Sequence, residues 1–255
     1  GGTLAFTGGL TATAPSAITV NGTITAAGTG VITLGDSDTG VTVASSATIG
    51  GTSTGTITLG AATLVDSATL TVGTGIANTI SLSSVTGTAL GSASHLTINT
   101  TGAVTVSGAV GTDIGTITIT NSGGTTFSST VDAASLIISA STVGSTVTFS
   151  NSLTLSSGLT VNAGSAAYNI SISGSSTNIA GATTFNNTGT LTFTSGSSST
   201  FRSGIVATAP SSISLAGTIS TWYLGNITIG DGDTNLSASG NAYIFSLANS
   251  SIQIG

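Results

Sequence analysis

Aliphatic side chains alternate with Thr or Ser in short runs along almost the whole chain. Examples are Ala17–Val20, Val31–Leu34, Thr56–Leu59, Thr69–Val72, Val104–Val106, Thr116–Thr120, Val147–Phe149, Ile170–Ser173 and Leu191–Phe193. Successive side chains of a strand point to opposite faces, so each run places aliphatics on one side and hydroxyls on the other. Gly, Ser, Asn and Asp fill the spaces between runs, which is turn chemistry. No stretch reads as a helix: Glu and Lys are missing and Gln253 stands alone, whereas Thr, Val and Ile suit a pleated surface. From His95 onward the strands recur about every 8 to 14 residues, and similar elements return about every 20 to 22. Ala103–Gly108, Thr125–Thr130 and Val147–Ser150 follow one another at that step. The expected fold is all-β, a parallel β-solenoid with coils of about 20–22 residues, each holding two or three short strands and stacked at about 4.8 Å. A thin interior of that kind takes Ala, Val, Ile, Leu and Ser more readily than rings, and aromatics make up 4% of the chain.

A longer repeat overlies the short one. TATAPS at Thr11–Ser16 returns as VATAPS at Val206–Ser211, GTI at Gly22–Ile24 returns at Gly217–Ile219, and ITLGDSDT at Ile32–Thr39 returns as ITIGDGDT at Ile227–Thr234. All three matches share one offset of 195 residues, as do the only two prolines, Pro15 and Pro210. Residues 1–195 are therefore expected to form one long solenoid unit. Residues 196–255 are expected to start a second copy, continuous with the first and without a linker. At about 21 residues per coil the unit holds roughly nine coils and rises roughly 45 Å. Solenoids need polar caps over their open edges, and neither terminal segment has the composition of one. The chain is therefore expected to continue or to mate with other copies, and, beginning at Gly1 without a signal segment, it is expected to be a processed product or an excised piece.

Composition narrows the function. Charged residues are 3% of the chain, with Arg202 the only cation and seven Asp the only acids. A net charge of −6 with one Arg argues against binding a phosphate backbone, so no nucleic-acid partner is expected. A lyase or hydrolase on a β-helix needs clustered Asp, Lys or Arg in a groove, and no enzymatic activity is expected. No run of about 18 apolar residues exists, so no transmembrane helix and no membrane insertion are expected. The absence of Cys and Met suits an exposed extracellular or cell-surface chain, since nothing can be oxidised or mispaired. Tandem β-sandwiches would call for a core aromatic in each domain, and a membrane β-barrel for aromatic girdles and a charged lumen.

The segment Thr101–Ser139, TGAVTVSGAVGTDIGTITITNSGGTTFSSTVDAASLIIS, resembles the β-strand repeats of very large bacterial surface proteins, the filamentous-haemagglutinin-like and autotransporter-type adhesins. The same style covers nearly the whole chain. The resemblance implies a right-handed parallel β-helix, export across an outer membrane, and a role in adhesion, biofilm or a surface filament. It carries over no catalytic residue. The expected function is an extracellular structural or adhesive repeat protein that forms a fibre, sheath or surface filament, with itself as partner through end-to-end or lateral assembly. The alternative is a solenoid binding module for ice or glycans, cell-surface glycans included.

A few residues stand out as candidate sites. Asp36 and Asp38, with their counterparts Asp231 and Asp233, lie two apart on Gly-flanked turns and could offer oxygen ligands to Ca²⁺; no other cofactor is expected. The competing role is a turn in which Asp caps backbone N–H groups. His95 is the only imidazole and lacks any signal of a base held by an acid, which a catalytic triad requires. Asn21, Asn99, Asn169, Asn186, Asn226, Asn235 and Asn249 open N-glycosylation patterns. Thr-x-Thr at Thr23–Thr25, Thr56–Thr58 and Thr116–Thr118 could order water on a flat face or simply ladder. Trp222 and Tyr223 replace Ala27 and Gly28 of the first copy and are expected to plug a wider coil, the competing role being an anchor for a glycan or a neighbouring subunit.

Overall fold

The computed structural model describes residues 1–88, 91–194, 196–222, 225–246 and 250–255. Among these residues there are thirty strands, paired in parallel, and no helix. The chain divides into two units, Gly1–Ala133 and Ala134–Gly255. Each is a β-solenoid, and the turns number about 11 in all. The chain is a β-helix repeat protein.

In the first unit each coil contributes strands to three faces. One face stacks Gly2–Phe6, the second half of Ile18–Ala26, the second half of Val41–Gly51, Thr69–Val72, Ser94–Asn99 and Ile114–Asn121. The next stacks Gly9–Ala12, Val31–Leu34, Ile57–Leu59, Ile80–Leu82, Val104–Val106 and Thr125–Phe127. The third uses the first halves of the two long strands and then Ala62–Leu64, Val85–Gly87, Val110–Gly111 and Val131–Ala133. Coil length is not fixed: Gly2 lies beside Gly22, whereas the longer coil after Leu70 brings it beside Leu96. Some coils therefore exceed the length expected from the spacing of strands. The strands hold the stacking distance and the corners absorb the difference.

Alternation sets the core. Leu34, Leu59, Leu82, Val106 and Phe127 stand in one inward column, each no more than 2% exposed. Fully burying such side chains stabilises by about 1.5–3 kcal/mol apiece. One corner adds a polar ladder between coils. The Ser53 hydroxyl donates to the Gly30 carbonyl at 2.6 Å, the Asn78 amide donates to the Ser53 and Gly55 carbonyls at 2.7 Å, and the Thr100 hydroxyl reaches the Asn78 carbonyl at 2.6 Å. Each side chain thus satisfies a buried carbonyl of the coil before it.

The second unit repeats the three-faced plan and packs rings against one another. Phe185, Phe193 and Phe201 come from strands on three different faces, and all are fully buried. Their rings meet edge to face, with centroids 6.3 Å and 6.1 Å apart. The interior is therefore wide enough for one ring from each face, wider than the low aromatic content implies.

Several inward positions carry hydroxyls. Thr183 is 1% exposed, stands between Leu159 and Ile205, and its Oγ1 has no hydrogen-bond partner. A buried unsatisfied hydroxyl costs about 1–3 kcal/mol. Thr183→Val, equal in size, is expected to raise stability by about 1 kcal/mol, read as a higher urea midpoint with an unchanged slope. A lower midpoint would mean that the hydroxyl is satisfied in solution.

The long repeat extends to strand positions and pairing. Ile227–Ile229 and Ile252–Ile254 are the second-copy counterparts of Ile32–Leu34 and Ile57–Leu59. Ile32 pairs with Ile57 as Ile227 pairs with Ile252, and Thr3 with Thr23 as Ser198 with Thr218. Even the register shift between Val20 and Gly22 recurs between Leu215 and Gly217.

Candidate functional site

The paired Asp turns come first. Asp36 Oδ1 accepts hydrogen bonds from the Asp38 N–H at 3.0 Å and the Thr39 N–H at 2.9 Å. These backbone donors hold the Asp36 carboxyl below the usual carboxylate range. The buried Thr39 hydroxyl lies 3.0 Å from the Thr13 carbonyl and 2.8 Å from that of Pro15, joining the turn to the preceding coil. The second copy repeats the lock. The Asp233 N–H donates to Asp231 Oδ1 at 3.1 Å, and the Thr234 hydroxyl lies 3.3 Å from the Thr208 carbonyl. Gly35 and Gly230, at φ 73° and 75°, make the left-handed bend into each turn. The structure thus brings Asp36 together with Asp38, and Asp231 with Asp233, as two separate two-carboxylate turns. Among the described residues no group of three or more His, Cys, Asp or Glu side chains could hold a metal ion. What the geometry supplies at both places is a turn lock. Gly35, Asp36 and Ser37 line an open groove of about 300 Å³ together with Thr58, Ser81, Ser83 and Ser107.

His95 lies on a half-exposed face between Thr69 and Thr116. Its Nδ1 accepts a hydrogen bond from the Thr116 N–H at 3.1 Å, a backbone donor rather than an acid. The contact sits at an irregularity, since the register shifts between Ser94 and His95 and skips Gly115. Of the glycosylation patterns, Asn21, Asn186, Asn226 and Asn235 are exposed, and Asn99 and Asn169 are half-buried. The Asn169 side chain bridges coils, donating to the Gly144 carbonyl at 3.1 Å and accepting from the Thr190 N–H at 2.8 Å. Asn249 lies outside the described residues, as does Tyr223.

The Thr pairs resolve into ranks. Thr3, Thr23, Thr48, Thr71, Thr97 and Thr118 stand in one outward column across six coils. A second column holds Thr11, Thr33, Thr58, Ser81, Thr105 and Thr126, and a third holds Thr19, Thr42, Thr63 and Thr86. Every face of the first unit has one.

Trp222 departs from expectation. It is 44% exposed and faces outward, not into the coil. The Arg202 guanidinium carbon lies 5.1 Å from its ring centroid, and Arg202 Nε donates to Asn178 Oδ1 at 3.1 Å. Tyr243 and Phe245, 61% and 44% exposed, stand beside Thr218 and Ser220 on the neighbouring coil. Residue-by-residue reading of the sequence missed this cluster. The signal was present at the long-repeat offset, where Arg202, Tyr243 and Phe245 replace Thr7, Thr48 and Gly50.

Comparison with protein-family models, with curated proteins and with solved structures found no match.

Proposed function

We propose that the chain is an extracellular structural or adhesive repeat protein that builds a surface fibre, sheath or filament, in the manner of the large bacterial β-strand-repeat adhesins. The observation that carries this is the return of the same strands, pairings and register shift in the second copy of the long repeat. A stack that restarts its own register lengthens without a new fold, which suits a fibre element. Ile57 and Leu59 are 1% and 2% exposed beneath a further coil, and a coil stacked on their counterparts Ile252 and Ile254 would bury those in the same way.

The binding-module alternative gains less. A surface specialised for ice puts its hydroxyl rows on one face, and here they occupy three. Their distribution fits cohesion between coils better than one ligand.

Electron microscopy of the purified chain is expected to show unbranched filaments that lengthen with concentration. Ile252→Lys combined with Ile254→Lys places two ammonium groups on one edge and is expected to leave single particles. Monodisperse particles of the unaltered chain at its highest soluble concentration would overturn the assembly reading.

A further inference from the structure

The two copies of the repeat act as a control on each other. Many inward residues are kept apolar: Ile24 and Ile219, Ile32 and Ile227, and Ile49 and Ile244 occupy equivalent places. The turn residues Pro15, Asp36 and Asp38 are kept as Pro210, Asp231 and Asp233. Among the described residues, four places exposed in the second copy exchange a small residue for Arg or an aromatic ring. Arg202, Trp222, Tyr243 and Phe245 stand where the first copy has Thr7, Ala27, Thr48 and Gly50. The strands pair in the same register with the small residues of the first copy, so the pairing itself does not call for the change.

The four substitutions share one face. Thr200 pairs with Ser220, and Ser220 with Phe245, so Arg202, Trp222 and the Tyr243/Phe245 pair rise on three consecutive coils of one face. At about 4.8 Å per coil the platform spans about 10 Å along the axis, and Tyr243 stands four residues, about 13 Å, back along the strand from the column of Arg202 and Trp222. Three exposed rings in a chain with 4% aromatics offer flat apolar plates to sugar C–H faces. Arg202 is the only Lys or Arg among 255 residues, against seven Asp. Its Nε donates to Asn178 Oδ1 and its guanidinium carbon lies 5.1 Å from the Trp222 ring centroid, and no hydrogen bond among the described residues uses its terminal amino groups. A guanidinium fixed in this way suits a carboxylate, which it meets through paired N–H donors. Elsewhere the chain's charge repels an anion.

We infer that Arg202, Trp222, Tyr243 and Phe245 form a binding site for a polysaccharide bearing carboxylates, its pyranose rings on the aromatic plates and an acid group on Arg202. The inference rests on the adhesive half of the proposed function and names the chemistry of the surface it grips.

Trp222 is the only tryptophan, so its fluorescence reports the site directly. Titration with oligogalacturonate is expected to change its emission saturably, with maltohexaose weaker by about ten-fold or more. Arg202→Thr is expected to abolish the preference for the acidic probe. Tyr243→Thr is expected to weaken both probes, and Trp222→Ala, followed by calorimetry, to remove binding. Each variant installs the first copy's own residue, so an unchanged circular dichroism spectrum is expected. No saturable response to oligogalacturonate would overturn the inference, as would equal affinity for the two probes or an acid preference that survives Arg202→Thr. A Trp222 signal that follows protein concentration instead of probe would overturn it in favour of a second copy on the platform. Filament formation is scored on the same samples. Filaments without titration sink only the saccharide site, and titration without filaments sinks only the assembly.

Discussion

Phe193→Ala is expected to cost about 4 kcal/mol and to melt the coils around it first. Phe193 is fully buried and touches both Phe185 and Phe201 edge to face. Truncation removes the buried ring, leaves a cavity bounded by three faces, and breaks two aromatic contacts each worth about 0.5–1.5 kcal/mol beyond area. Backbone pairing with the coils on either side resists collapse into that cavity, since those strands are held at a fixed spacing. In a stack where each coil touches chiefly its neighbours, the loss is local before it is global. Urea unfolding followed by circular dichroism measures the total. Trp222 fluorescence, from the same unit, should report an earlier transition than the first unit's strands. A loss under about 1 kcal/mol would show that the three rings do not share one packed interior.

Gly73→Ala is expected to cost about 3 kcal/mol or more, from two causes. Gly73 has φ 86°, in the left-handed region that side chains resist. A Cβ there would also stand 2.2 Å from the Asn99 carbonyl oxygen of the next coil, so two coils would have to part. Gly28→Ala separates the causes. Gly28 has φ 62° but no atom within 4 Å of its would-be Cβ, so only the conformational cost of about 1 kcal/mol remains. Thermal unfolding of both variants tests the difference. Equal losses would show that the close approach at Gly73 contributes nothing.

These two substitutions mark the limit of what could be read ahead. The inward side of every run was legible: Ile57 and Leu59, or Leu70 and Val72, are buried as their alternation demands. The Asp36 turn was legible as one of two things, a backbone cap or a pair of Ca²⁺ ligands, and Asp36 Oδ1 accepts from the Asp38 and Thr39 N–H groups as a cap does. The long repeat was legible because Pro and Asp are rare here. Which threonines stack was not legible, since a rank such as Thr48–Thr71–Thr97 depends on corner lengths that vary from coil to coil. Trp222 was misplaced for a related reason: alternation fails at the end of Ser212–Thr221, so parity no longer told inside from outside.

The sequence by itself determined the strands, their inward faces, the turn chemistry and the existence of a long repeat, because these depend on residues within a few positions of one another or on rare residues that mark an offset. The tertiary structure alone decided the three-faced coil and its variable length, the meeting of Phe185, Phe193 and Phe201, and the gathering of Arg202, Trp222, Tyr243 and Phe245 on one surface. Those depend on which residues lie opposite across coils. Corner geometry and backbone pairing set that register, and period-two alternation is blind to it.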